Sequence, residues 1–343
     1  MALQEGDIIH SRYRLIRLIG TGTSGSVWAS RNELIDLDVA LKIMEPEVMS
    51  DKVLLHRFFN EAKAIGRVKH PSIVGIFDLG QAEDGSPFLV LELLDGEPLS
   101  TRLQRERTVE PETLLDVAAG VARALDLAHR QGIVHRDMKP ANIFLHRTST
   151  GGLVGKILDF GISKVLSTGS QSNFSLTKTG TVVGSPAYMS PEQAAGRDDI
   201  DGRADVWSVG VVLYEALTGA LPHEAPNYNA LMVRILTQDP PPIITRIPYL
   251  SLQVCELVDS CLKRDREGRP NAGQLSSMLE AGVRKLRAQR FKRSGGRRRG
   301  DQPMPDAPKK LDRRLMIKVV AVAASSGLVM GLLGVLIGYL LFG

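Results

Sequence analysis

The sequence predicts an α+β chain: a globular unit in two parts, followed by one C-terminal transmembrane helix. Three observations carry this. YRLIRLIGTGTSGSVWAS alternates apolar and polar residues around a glycine-rich turn, the pattern of paired strands. Segments of helical periodicity come next, clearest in PETLLDVAAGVARALDLAHRQG, with Pro111 at its start and Gly132 at its stop. Val319 to Phe342 holds 24 residues without a charge, and a helix of that length runs ~36 Å, enough for a hydrocarbon layer of ~30 Å.

Taken in order, the first chemical signal is the turn at Gly20, Gly22 and Gly25. Glycine lets the backbone approach phosphates, so that peptide N–H groups can meet anionic oxygens. The motif alone is weak, since a dinucleotide site would open a helix, whereas SVWAS after it reads as a strand. LDVALKIM is another strand, with Lys42 inside it. Lone strand lysines are most often solvated edge residues. DKVLLHRFFNEAKAIGRVKHP shifts that reading: Leu54, Phe58, Ala62 and Ile65 recur at helical spacing, and Glu61 shares their stripe. A carboxylate there needs a cation, and Lys42 is the candidate.

The centre is more specific. IVHRDMKPANIFL and KILDFGISK place Asp137, Lys139, Asn142 and Asp159 on two short loops between apolar strands. Asn142 and Asp159 are hard oxygen ligands suited to Mg²⁺.

With GTGTSGSV, VALK, FFNEAKAI, HRDMKPAN, DFG, SPEQ, DVWSVG and REGRP in this order, the chain resembles a eukaryotic-type Ser/Thr protein kinase, closest to the bacterial membrane-anchored Ser/Thr kinases. The resemblance implies a bilobal kinase domain over residues 13–286. A small β-rich N-lobe would cover about 13–93 and a larger, mostly helical C-lobe about 94–286. It implies ATP bound by Ile19, Gly20, Thr21, Gly22, Thr23, Ser24, Gly25, Ser26, Val27 and Lys42, with the hinge from Glu92 to Leu94 and Leu91 guarding the pocket. Lys42 would pair with Glu61 in the active state. Asp137 would accept the proton of the substrate hydroxyl, and Lys139 would sit near the γ-phosphate. Asn142 and Asp159 would hold Mg²⁺, with Mn²⁺ as an alternative. Asp205 is expected to brace the catalytic loop, and Glu192 and Arg269 to lock the activation segment onto the C-lobe. His135, Phe160, Ile65 and Ile76 are expected to stack between the lobes, which gives His135 no acid–base role.

The stretch between Asp159 and Glu192 is rich in Ser, Thr and Gly. Phosphate there could pair with Arg136, so the segment is expected to order on autophosphorylation, by similarity at Thr177 and Thr179, then Thr181. Ser185 stands where Thr is usual, Met138 where Leu is frequent, and SPE replaces APE; none touches a catalytic role. A pseudokinase scaffold would normally have lost Lys42, Asp137 or Asp159. A small-molecule kinase would lack the long activation segment and its SPE–Arg pair. Protein substrates are therefore the expected partners.

The tail sets location. Arg284 to Lys318 carries 14 Lys/Arg and three Asp, a net of +11, against +5 for the chain, which leaves about −6 elsewhere. Basic residues beside a span mark the cytoplasmic side. The expectation is a cytoplasmic kinase domain, a basic juxtamembrane linker at 287–318, disordered and in contact with anionic lipid rather than nucleic acid, and a span at 319–342. The N-terminus does not read as a signal peptide, and nothing in the chain would sense the exterior. Gly327/Gly331 and Gly334/Gly338 have the spacing of close helix crossings, so a homodimer through the span is a further expectation. The two cysteines, Cys255 and Cys261, have no metal-ligand spacing and are expected reduced.

Overall fold

The computed structural model describes residues 3–22, 25–44, 52–160 and 186–295. Thr23, Ser24, Thr177, Thr179, Thr181 and the predicted span at 319–342 lie outside the described residues. Among the described residues no helix is long and apolar enough to cross a membrane.

The N-terminal lobe is built on an antiparallel sheet. Its strands are β1 (Ile8–Ile9), β2 (Tyr13–Gly22), β3 (Gly25–Asn32), β4 (Leu37–Met44), β5 (Ile76–Gln81) and β6 (Pro87–Glu92), in the order β1-β2-β3-β4-β6-β5. Period-two alternation explains the faces: Tyr13, Leu15, Trp28, Val39, Leu41, Ile43, Phe88 and Val90 form one apolar cluster. Helix α1 (Lys52–Arg67) covers the sheet with Phe58 and Ala62, both fully buried, against Met44 and Leu89. The stripe read from the sequence is therefore the packing face.

The second lobe starts with β7 (Gly96–Pro98), α2 (Leu99–Glu106) and α3 (Pro111–His129), followed by the hairpin β8 (Ile143–Arg147) and β9 (Leu153–Ile157). Glu110 caps α3 by accepting from Thr113 N, with Pro111 in the first turn where its missing N–H costs nothing. After α4 (Pro191–Ala194) comes α5 (Arg203–Thr218), buried on nearly every side and stopped at Gly219 with φ +73°. Around it pack α6 (Tyr228–Thr237), α7 (Leu252–Cys261) and α8 (Ala272–Gly295). A Cβ on Gly210 would lie 2.6 Å from Cys261, so α5 and α7 meet at contact distance. Both cysteines are free and buried, and burial pushes the Cys261 thiol up to about 12, which makes it an inert core residue.

The predicted domain edge at 286 falls inside α8. The helix runs on to Gly295, and Arg287 reaches Glu112 (3.0 Å) and Asp116 (3.2 Å) on α3. Composition read these residues as linker, whereas their charges find partners on a neighbouring helix. Such exposed pairs are screened by solvent and add little to stability.

Candidate active site

Four elements deliver the functional side chains to one cleft. In β4, Lys42 stands opposite Val27 of β3, so both point to the same face of the sheet. Gly25 starts β3 with φ +133°, and a Cβ there would fall 2.0 Å from the Ile43 carbonyl oxygen. No L side chain fits that site. By contrast, a Cβ on Gly20 or Gly22 would meet nothing within 4 Å. Gly25→Ala is therefore expected to cost more than about 1 kcal/mol of stability. Gly20→Ala should leave the thermal midpoint unchanged, which a melting comparison of the two variants checks.

The catalytic loop hangs from one buried carboxylate. Asp205, fully buried in the first turn of α5, accepts from the backbone N–H of His135 (2.8 Å) and of Arg136 (2.7 Å), and from His129 Nε2 (2.8 Å). Burial alone would raise its pKa; His129 and the loop donors outweigh that and hold it below the usual carboxylate range. Arg136 has φ +63°, a left-handed conformation that Asp205 pins by taking its N–H. His135 is buried, its Nδ1 accepts from Asp137 N (3.2 Å), and its Nε2 donates to the Leu158 carbonyl (2.9 Å). With both ring nitrogens occupied and Phe160 stacked edge-on at 4.9 Å, His135 is a strut. Ile65 and Phe160 belong to one core cluster, and Ile76 packs against that cluster.

Asp137 is half-buried, and its Oδ2 accepts from Lys139 Nζ (2.8 Å) and Asn142 Nδ2 (3.1 Å). Asn142 Nδ2 also donates to the Asp137 carbonyl (2.7 Å). With its amide nitrogen so engaged, Asn142 has its carbonyl oxygen left for a cation. Asp159 comes next to it through the hairpin: Ile143 pairs with Ile157, and Leu158 N donates to Asn142 O at 2.9 Å. The 16 residues between Asn142 and Asp159 form one β-hairpin, which returns the second ligand to the first. Two hard oxygen donors on adjacent strand ends suit Mg²⁺ or Mn²⁺.

One expected contact is not made. Lys42 Nζ pairs with Asp159 Oδ1 at 2.5 Å rather than with Glu61. Glu61 is half-buried on α1, without an ion pair to Lys42, and burial pushes its pKa up against the partial offset of Arg136 and then Arg57. The Asp159 carboxylate is the nearer partner in this arrangement, so the two charges that would flank a nucleotide neutralise each other.

The platform beside the site does form. Arg269 makes two hydrogen bonds to Glu192, 2.7 and 2.9 Å, with both side chains almost wholly buried. Ser190 and Gln193 complete a capping box on α4, and Gln193 Nε2 donates to the Arg136 carbonyl (2.8 Å), which ties the platform to the catalytic loop. A groove of about 430 Å³ beside Lys139 is lined by Ala141, Tyr188 and Glu215, with Tyr188 OH donating to Glu215 at 2.6 Å. Ile19 and Thr21 are exposed on β2, Ser26 lies half-buried on β3, and Leu94 follows β6. Glu92 adds a contact the sequence did not suggest: its carboxylate accepts from Lys156 Nζ at 2.6 Å. The available signal was a lysine inside the apolar run of β9.

The comparisons agree with this geometry. Residues 13–279 match the protein kinase domain family. The chain is 36% identical over 271 residues to the serine/threonine-protein kinase pkn3 of Myxococcus xanthus, covering 78% of this chain and 49% of that one. It is 36% identical over 284 residues to PknA of Mycobacterium tuberculosis, covering 81% and 64%. For PknB of the same organism the match is 34% over 264 residues, covering 76% and 41%. The chain thus spans about two fifths to just under two thirds of the length of these relatives. In fold it is similar to the crystal structure of the Mycobacterium tuberculosis PknI kinase domain, with TM-score 0.62 and 24% identity over 82% of this chain and all of that one. A bilobal fold, a catalytic loop hung from Asp205 and a domain match over most of the chain place this protein in the protein kinase family, among the eukaryotic-type Ser/Thr kinases.

Proposed function

We propose that the chain transfers the γ-phosphoryl group of ATP to Ser/Thr hydroxyls of proteins, as a membrane-anchored cytoplasmic kinase in signal transduction. The observation that carries this is the convergence of Asp137, Lys139 and Asn142 on one hydrogen-bonded cluster, with Asp159 on the adjacent strand end. Phosphoryl transfer needs positioning and charge neutralisation more than covalent help from the protein. Mg²⁺, when bound, would neutralise the phosphate oxygens, held by the Asn142 carbonyl oxygen and the Asp159 carboxylate. Asp137 orients the acceptor hydroxyl and takes its proton, while Lys139 steadies the carboxylate and offers its charge to the transferring group. Lys42 leaves Asp159 for the nucleotide phosphates and gains Glu61 as α1 shifts inward. Glu192 and Arg269 hold the platform for a protein substrate, supported by the groove at Tyr188 and Glu215.

Activation proceeds through autophosphorylation at Thr177 and Thr179, with Thr181 as a third acceptor, the phosphates pairing with exposed Arg136. The span at 319–342 anchors the domain, the basic stretch before it meets anionic lipid, and Gly327/Gly331 and Gly334/Gly338 support a homodimer. The full chain, reconstituted with Mg²⁺ and ATP, is expected to gain phosphoryl groups mapping to Thr177 and Thr179, whereas the Asp137→Asn chain gains none. Phosphorylation elsewhere only, with full activity in Thr177→Ala/Thr179→Ala, would sink the activation scheme. Removal of residues 319–343 should release the kinase from vesicles of neutral lipid, which the basic stretch does not attract; continued pelleting would overturn the anchor.

A further inference from the structure

We propose that Glu92 and Lys156 form a latch that holds the nucleotide-binding edge of the first lobe at a set distance from the metal-binding end of β9. This rests on the kinase reading. Glu92 closes β6, the strand whose end is the expected adenine edge, and backbone alone would serve that purpose. Its side chain turns instead to the second lobe, where Oε2 accepts from Lys156 Nζ (2.6 Å), and the same oxygen accepts from Gly75 N (3.2 Å) of its own lobe. Lys156 is a buried lysine in β9, three residues before Asp159, and its side chain is about 10% exposed. A buried ammonium is costly unless paired, so Lys156 holds its partner firmly.

The surrounding backbone makes the latch a three-way junction. Glu92 N donates to the Gly75 carbonyl (2.9 Å), so the stretch after α1 is bonded to Glu92 in both directions. The same stretch is stitched to β9: Ile157 N donates to Ser72 O (2.8 Å) and Val74 N to Ile157 O (3.2 Å). From Ile157 the chain passes through Leu158, bonded to Asn142, to Asp159. One carboxylate thus joins the adenine edge, the stretch after α1 and the strand that presents the metal ligand. A nucleotide must engage the hinge backbone and the Asp159 cation at once, so its affinity depends on their separation. The latch therefore contributes to binding of nucleotide and transition state alike, and a lost latch should appear in KM rather than in kcat. Glu92 and Lys156 are positioning residues.

The test is steady-state kinetics of the full chain on a generic Ser/Thr protein substrate, with calorimetric binding of Mg²⁺·ADP beside it. Lys156→Met is expected to raise KM for ATP roughly tenfold and to weaken Mg²⁺·ADP by a similar factor, with kcat within about twofold of the parent. Lys156→Arg keeps the charge and should restore both values. If Lys156→Met does not fold, Glu92→Met/Lys156→Met takes its place; it strands no charge, and the same rise in KM is expected. Unchanged KM and Mg²⁺·ADP affinity in a folded latch variant would overturn the proposal, as would a fall in kcat at constant KM. A parent that binds Mg²⁺·ADP but phosphorylates nothing would instead overturn the kinase reading, and the binding comparison alone would then decide the latch.

Discussion

Asp137→Asn is expected to lower the phosphoryl-transfer rate by roughly 10²–10⁴-fold, the span removed with a positioned general base. The substitution keeps the shape of the loop. An Asn oxygen can still accept from Lys139 Nζ, which lies 2.8 Å from Oδ2, and from Asn142 Nδ2 at 3.1 Å. The bonds that suspend the loop come from Asp205 to the backbone of His135 and Arg136, and position 137 does not enter them. The thermal midpoint and Mg²⁺·ADP affinity should therefore match the parent while kcat falls. Equal losses in kcat and stability would show Asp137 to be a structural group, and retained kcat would remove it from the mechanism. Initial-rate kinetics beside a melting curve separate these outcomes.

Arg269→Ala carries the largest expected effect on folding, a loss of about 3–5 kcal/mol. It would strand the Glu192 carboxylate, whose side chain is 4% exposed, and would empty a site where the guanidinium also donates to the carbonyls of Arg203, Lys263 and Arg264. The guanidinium further lies 5.0 Å over the Trp207 ring at the heart of α5. For a domain of this size each kcal/mol moves the midpoint by ~2–4 °C. The pair also has a pH signature. Burial would raise the Glu192 pKa, but Arg269 outweighs it and holds the group below its ordinary 4.5. A carboxylate depressed in the folded state stabilises fully above its unfolded pKa, and that contribution is lost as pH falls through the folded value. The parent should thus shed stability on acidification below about pH 4.5. Arg269→Ala has already lost that contribution and should show a flatter acid limb. Denaturant melts at pH 7 and pH 4 check both statements. Equal pH dependence in parent and variant would mean that the pair is not the source.

Much of the site was legible because its chemistry is local. HRDMKPAN packs base, lysine and ligand within six residues, and the 16-residue return to Asp159 is a hairpin whose strands show in the apolar runs on either side. The stripe Phe58, Ala62 and Ile65 on α1, and the apolar length of α5 up to Gly219, were likewise readable, since burial imposes a period and a stop on the sequence. Arg-rich composition around 286 resembles solvated linker, yet α8 continues past that point to Gly295. Only Glu112 and Asp116 on another helix show that Arg287 has partners.

Local pattern thus specified the strands, the helices, the reactive loop and the membership of the cleft, because propensity, periodicity and turn chemistry act over a few residues. Pairing across the chain was left to the tertiary structure. Lys42 meets Asp159 across 117 residues instead of Glu61, Glu92 meets Lys156 across 64, and Arg269 meets Glu192 across 77. A buried charge takes whichever opposite charge the packing of apolar surfaces brings within about 3 Å, and that choice is made by the geometry of the lobes, to which no short stretch of sequence has access.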